Sequence, residues 1–371
     1  MSKRDMLIVT TSPIYAEDGY KSRIEAEISI LKDDFNITLL LPEKKTKEIV
    51  FQTKTAKEYY KPYYGKKLRL FLAPLALKKM IKKYCNSHSN SLIYGEALLA
   101  SYFAARSICG HNNKLIFDCH GTEPNEQRMQ SNSLKDIVLS KLFKIYENYV
   151  KRKASCIVTV TNRQYSLLNI EKKHVKLPML PSDVFFVYKT ERERLRKKLN
   201  IPSSAIVFVY LGSNAVWQMC EEMVRLYKSF EDTFPNTFFL VLTGAVNYFK
   251  KIIIEENIKH YTIMTVPYTE VPRYLDAADY GFCIRANNII NNVASPTKIL
   301  EYLARDVKPI ITDCIGDLSE ELKKEGLACI MNESLNNFDE INKNVNFDGM
   351  SYVKTIREKY IKDYVNILRK L

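Results

Sequence analysis

No apolar run in this 371-residue chain approaches the roughly 18–20 residues that would span a bilayer. The longest, such as Leu70–Leu77 (interrupted by Pro74) and Ile206–Leu211, fall far short. The opening MSKRDMLIVTTSP carries charge and then a very short apolar stretch, without the apolar core and small-residue cleavage site of a signal peptide. Myristoylation and prenylation signatures are also missing. These absences lead us to expect a cytoplasmic chain that touches a membrane without crossing it. The eight cysteines offer no C-x2-C clip, so a zinc site is not expected. They read as reduced core residues, with a thiol role left open only for Cys119, next to His120. There is no internal repeat of 20–50 residues and no low-complexity tract. No complete G-x-G-x-x-G is present, and no Asp-x-Asp.

Hydrophobic residues make up 46% and aromatics 11% of the chain, enough to bury sizeable cores, and the length suggests two to three domains. The 56 Lys and Arg exceed the 42 Asp and Glu by 14. All of that excess lies in the first half. Residues 1–182 hold 31 basic and 17 acidic side chains, whereas residues 183–371 hold 25 of each. Phe51–Lys83 alone has ten basic residues and one acid, Glu58, interleaved with Tyr59, Tyr60, Tyr63, Tyr64 and Phe71. Its end, with Lys78, Lys79, Lys82 and Lys83, is expected to contact an anionic membrane surface; the plainer alternative is a solvated helix face over an ordinary core contact. Nucleic acid is not expected as a partner, since no RRM or helix-turn-helix signature accompanies the charge.

Short apolar strands alternate with longer helical patterns, which predicts α/β architecture with parallel sheets. The first series places strands at Met6–Thr10, Ile37–Leu41, Leu92–Tyr94, Leu115–Asp118 and Cys156–Val160. A second series restarts at Ile206–Leu211 and runs to Leu327–Ile330. Two such series predict two doubly wound domains, with the boundary at the proline-marked Leu177–Phe186. Residues 1–182 form one domain and 183–350 the other, and 351–371 form an amphipathic helix with no strand after it.

Three segments carry candidate chemistry. The strongest is RANNIINNVASPTKILEYLARDVKPIIT, Arg285–Thr312. It reads strand, loop, helix, strand, with Ser295 or Pro296 opening the helix and Thr297 and Lys298 in its first turn. Free N–H groups, a hydroxyl and an ammonium there suit a phosphate. Glu301, four residues after Thr297 on the same face, can accept hydrogen bonds from a ribose. The second segment is LGSNAVWQM, where Gly212 and Ser213 allow close backbone approach at a strand's carboxyl end; Gly19, just before the first helix, is its counterpart. The third is FDCHGTEPNEQ, in which Asp118 and His120 end a strand and Gly121 permits a tight turn. Pro267 and Tyr268, after another strand, are placed to touch a base.

With these motifs the sequence resembles retaining GT-B glycosyltransferases, in particular family 4 and its bacterial capsule and lipopolysaccharide enzymes. The resemblance rests on Gly19, DCHG at 118–121, YLGS at 210–213, VPYTEVPRYLDAADYGFCIR at 266–285 and above all ASPTKILEYLARDVKPIIT at 294–312. It implies two Rossmann-like domains facing a cleft, with the acceptor on the first, the nucleotide sugar on the second, and a C-terminal helix crossing back. It implies that Glu301 is the second glutamate of an E-x7-E pattern and holds the donor ribose. The first glutamate's position is Val293, a departure. The family's basic pair after the glycine loop is also missing from SNAVWQ, so Arg285 and Lys298 are expected to supply that charge. His120 would contact the donor sugar or reacting centre. The implied partners are a nucleotide-sugar donor and a glycan or polyprenyl-linked acceptor, with no metal and no other cofactor. Two alternatives stay open: a GT-B sugar epimerase, and a non-catalytic nucleotide or nucleic-acid binding module.

Overall fold

The computed structural model describes residues 3–11, 19–42, 57–61, 66–108, 112–130, 133–187, 190–331 and 347–371; within them, the side chains of 19–22, 41–42, 57–61, 66–76 and 130 are not described. The chain is α/β and builds two all-parallel sheets. The first has seven strands: β1 (Arg4–Val9), β2 (Phe35–Pro42), β3 (Lys57–Lys61), β4 (Leu92–Glu96), β5 (Lys114–Cys119), β6 (Cys156–Thr159) and β7 (His174–Lys176). The second has six: β8 (Ile206–Leu211), β9 (Thr237–Leu242), β10 (Tyr261–Met264), β11 (Tyr280–Cys283), β12 (Lys308–Thr312) and β13 (Cys329–Met331).

The strand orders are β3-β2-β1-β4-β5-β6-β7 and β10-β9-β8-β11-β12-β13. Each sheet winds outward from its first strand and then reverses. The reversal creates a switch point between β1 and β4, and another between β8 and β11. At the carboxyl ends of strands flanking such a point, the connections diverge to opposite faces and leave room for ligand.

Alternation along the strands explains why helices cover both faces of the second sheet. Val207, Val209, Leu240, Leu242, Cys283 and Ile311 pack into one core layer. Their sequence neighbours Phe208, Tyr210, Phe239, Val241, Phe282 and Ile310 pack into the layer on the other side. Strands apolar on both faces are the signature of a buried parallel sheet. In the first sheet, Leu7, Val9, Ile93, Leu115, Phe117 and Ile157 line one such layer.

By contact density the chain divides into Met1–Pro178 with Lys359–Leu371, and Met179–Glu358. The final helix, Gly349–Arg369, contributes residues to both units.

Two strands and two helices of the first unit are not among the sequence expectations: β3, β7, Glu123–Gln130 and Asn162–Leu168. The helix carrying the lysine pairs runs from Lys66 to Ser87, longer than its apolar pattern implies. In its described part, Leu77, Ile81 and Tyr84 are buried, while Lys79, Lys82 and Lys83 are exposed and Lys78 half-exposed. An exposed basic face over a core contact is common to both readings of this helix. Phe51–Ala56, Tyr63 and Tyr64 lie outside the described residues. All seven described cysteines are buried; Cys109 lies outside them.

Candidate functional site

In the second unit, the site grows from the end of β8. Gly212 has φ +144°, a conformation strained for any side-chain-bearing residue. A Cβ there would stand 2.8 Å from Lys298 Nζ and 3.2 Å from the Tyr210 hydroxyl. The space a side chain would need is taken by the ammonium of Lys298, which lies 4.3 Å above the Tyr210 ring. Lys298 Nζ also donates to Gln218 Oε1 at 2.8 Å. Burial pushes the amine down to about 8, because the surroundings disfavour the charged form.

Arg285 follows β11 and is 7% exposed. Its backbone is pinned to the end of β12: Arg285 N–H donates to Thr312 Oγ1 at 3.0 Å, and Thr312 Oγ1 donates back to the Arg285 carbonyl at 2.8 Å. Its guanidinium Nη1 donates to the Trp217 carbonyl at 2.8 Å. Its Nε is buried without a hydrogen-bond partner among the described residues.

Lys298 and Glu301 share the helix Thr297–Leu303, and both are buried. Glu301 accepts from the Tyr268 hydroxyl at 2.7 Å, and burial pushes its carboxyl up to about 7. Pro296 is the N-cap residue and supplies no side-chain cap to the helix. Ser295 is not the cap; its hydroxyl accepts from Met179 N–H at 3.3 Å. Thr297 is half-buried and Ser213 exposed. The helix has only seven residues, so side-chain cations rather than its dipole supply most of the positive potential. Val293, where the resemblance implies a glutamate, is 5% exposed.

Tyr302 fixes the orientation of this helix. Its hydroxyl accepts from Leu211 N–H at 2.9 Å and donates to the Phe282 carbonyl at 3.2 Å. One phenol thus ties the helix to the ends of both β8 and β11. Gly281 makes room for its ring: a Cβ there would lie 2.5 Å from Tyr302 Cδ2.

The first unit builds a different constellation around β4 and β5. Asp118 is fully buried, and its carboxylate accepts from Arg23 Nη2 at 3.1 and 3.3 Å. His120 Nε2 lies 2.6 Å from Asp118 Oδ2 and 3.1 Å from Glu96 Oε1. Arg23 Nε also donates to Glu27 Oε1 at 2.7 Å, which accepts a second bond from the Tyr94 hydroxyl at 2.9 Å. Burial alone would raise the Asp118 carboxyl, but Arg23 and His120 outweigh it and hold it well below the usual carboxylate range. Glu27 and Glu96 go the other way. Burial raises both well above their ordinary value, and the neighbouring carboxylates add to it.

Ligand atoms of Glu27, Glu96, Asp118 and His120 all lie within 4.8 Å of one another. That spacing could hold a cation, although Arg23 already engages two of the four. The other way to neutralise the crowding is to keep protons on the glutamates.

The loop after β5 is pinned as well. Gln164 Nε2 donates to the Gly121 carbonyl at 2.9 Å. A Cβ on Gly121 would strike Glu126 Oε1 at 2.2 Å. Cys119 donates to the same carbonyl at 3.4 Å, and burial raises its thiol well above the usual range, which argues against a thiolate. Gly19 is the first residue of the helix Gly19–Leu31, which carries Arg23 and Glu27; the preceding residues 12–18 lie outside the described ones.

The structure therefore joins Gly212, Lys298, Glu301 and Tyr268 into one site, with Arg285 linked through the Trp217–Gln218 turn, and joins Asp118 and His120 into another. Sequence reasoning missed Tyr210, Gln218, Arg23, Glu27 and Glu96. A signal existed for Glu96, a lone acid between the apolar LIY and ALLA. Arg23 and Glu27 form an i,i+4 pair, each directly before an isoleucine (Ile24, Ile28), on a helix that had to bury that face.

No family model and no curated relative matches the chain. Solved structures do. A sucrose-phosphate synthase from Thermosynechococcus elongatus superposes with a TM-score of 0.78 at 12% identity, covering 99% of each chain. Anabaena HepE, solved in complex with UDP and glucose, gives 0.71 at 12% identity over 99% of this chain and 100% of that one. The lipopolysaccharide outer core galactosyltransferase WaaB gives 0.70 at 13% identity, with the same coverage. At such identities the likeness speaks for the fold, and the two parallel sheets with their helices give this chain the two-domain α/β GT-B fold.

Proposed function

We propose that the chain is a glycosyltransferase. It moves a sugar from a nucleotide-sugar donor to a glycan or lipid-linked acceptor, with retention of anomeric configuration, in cell-surface polysaccharide synthesis at the inner face of the plasma membrane. The observation that carries this reading is the desolvated pair of cations, Lys298 and Arg285, beside the switch point of the second sheet, both 7% exposed. Two buried cations, one of them lying against the glycine turn at 212, suit a diphosphate. The solved neighbours add weight, since Anabaena HepE holds UDP and glucose in its crystal structure.

On this reading Lys298 and Arg285 take the diphosphate oxygens, while Glu301 and Tyr268 face ribose and base. The glycosyl transition state is oxocarbenium-like, and negative charge grows on the departing diphosphate. Cations already held in place stabilise that charge without reorganising. The acceptor oxygen bonds to the anomeric carbon on the face the diphosphate leaves, and the acceptor proton passes to a diphosphate oxygen. No carboxylate nucleophile and no metal is required in this scheme. His120, its ring oriented by Asp118 and Glu96, serves the donor sugar.

A thermal-shift panel with UDP, GDP, CDP, CMP and ADP tests the donor reading. One nucleotide diphosphate should raise the melting temperature in proportion to the logarithm of its concentration. Lys298→Ala should remove most of that shift and cost roughly 100-fold in affinity, as expected for a buried charge-assisted contact. A panel with no responder would defeat the donor assignment. Near-normal turnover in His120→Ala would remove His120 from it.

A further inference from the structure

We propose that the turn Val216–Gln218 is a built-in stand-in for the ligand: the Trp217 carbonyl oxygen and Gln218 Oε1 hold Arg285 and Lys298, and a bound diphosphate displaces them. The inference rests on the donor-site reading above and adds what a diphosphate must displace in order to bind.

The two contacts are alike. Arg285 Nη1 donates to the Trp217 carbonyl and Lys298 Nζ donates to Gln218 Oε1, each at 2.8 Å. Both acceptors are neutral oxygens on consecutive residues, and both donors are cations at least nine-tenths buried. A buried cation with no acceptor would be costly, so something must stand in when no anion is bound. A phosphate oxygen makes a charge-assisted bond to the same donors, roughly twice as strong as a neutral one. Exchange is therefore downhill once the ligand arrives.

Little of the turn is packed away from water. It contains no buried residue; Val216 is 88% and Trp217 47% exposed. Its internal bond runs from Gln218 N–H to the Ala215 carbonyl at 2.8 Å. The next residue, Met219, sits at φ 48°, a conformation that side-chain-bearing residues seldom adopt. A segment fastened by two polar tethers and little burial belongs to the low-stability end of a fold. Arg285 Nε, buried without an acceptor among the described residues, shows that the stand-in does not use all the donors of the site. A diphosphate has oxygens to spare for it.

Two consequences follow for Gln218. It competes with the ligand, so removing it should tighten binding; giving it a carboxylate should make it a stronger competitor. Trp217 is the only tryptophan in the chain, so its emission reports the turn directly.

The full chain is titrated with UDP, GDP, ADP and CDP in turn, by calorimetry and by tryptophan emission. We expect binding heat with at least one of them, and an emission change that follows the same isotherm. Gln218→Ala should bind that nucleotide three- to tenfold more tightly, and Gln218→Glu at least tenfold more weakly. Without nucleotide, Gln218→Ala should melt slightly lower than the parent and Gln218→Glu slightly higher, because residue 218 is the acceptor of the buried Lys298 ammonium. Equal affinities in all three proteins, or binding heat without an emission change, would overturn the stand-in and leave the nucleotide site intact. Absence of binding heat from all four nucleotides, in the parent and in Gln218→Ala, would overturn the donor-site reading and the stand-in together.

Discussion

At the switch point of the first sheet, three buried carboxyls (Glu27, Glu96 and Asp118) crowd around one guanidinium and one imidazole. At the switch point of the second, two buried cations meet one carboxyl, Glu301, that is pushed toward its neutral form. The strand order is shared and the electrostatics are opposite. The contrast also runs against the domain charges. The half of the sequence carrying the whole +14 builds the acidic cluster, and the charge-balanced half builds the cationic one. Surface charge governs encounter and solubility. What a site holds depends on the few charges that lost their water.

The sharpest way to break this comparison is to remove the lone guanidinium of the acidic cluster. Arg23→Met should destabilise the first unit by about 3–5 kcal/mol, because Asp118 keeps its charge with its main counter-ion gone. Chemical denaturation would measure it, and a loss below about 1 kcal/mol would mean that the cluster is neutralised some other way.

The second effect concerns pH. In the cationic site the ligand needs the ammonium of Lys298, whose amine sits at about 8. Nucleotide affinity should therefore fall by about tenfold between pH 7 and pH 9. The ligand-free chain should show the opposite trend in stability from this residue. The unfolded chain binds more protons than the folded one between about 8 and the ordinary lysine value, so this contribution rises with pH there. Glu301, raised to about 7, gives a contribution that falls as pH climbs from its ordinary value to 7. Flat affinity across pH 7–9 would remove Lys298 as the ligand's cation.

The smallest effect separates protonated glutamates from paired ones. Glu96→Gln replaces a carboxyl raised well above its ordinary value by a neutral amide of the same shape. At pH 5 the melting temperature should hardly move. At pH 8 the variant should melt a few degrees higher, corresponding to about 1 kcal/mol. A lower melting temperature at pH 8 would mean that Glu96 works as an anion, for instance as a cation ligand.

Much of this fold is legible in the sequence wherever burial is complete. Ile206–Leu211 is a strand to the residue, since a central parallel strand is apolar on both faces. The edges of the first sheet are not legible. KEYYK and HVK carry no apolar run, because an edge strand buries less and is only a few residues long. EPNEQRMQ is helical without helical periodicity. For the sites, Lys298 and Glu301 were readable from a local helix-start pattern. Arg23, Glu27, Glu96 and Asp118 were not readable together: Arg23 meets Asp118 across 95 positions of sequence, and no local pattern records such a meeting.

Gly281 and Tyr302 stand 21 positions apart and share one space. Any side chain at 281 collides with the phenol, which is 2.5 Å from where its first carbon would lie. Shrinking residue 302 to make room would remove the hydroxyl that ties its helix to two strand ends, and with it the aim of Lys298 and Glu301. For heredity the two positions behave as a single character: neither can drift alone, and a lineage that changes one must change the other in nearly the same step.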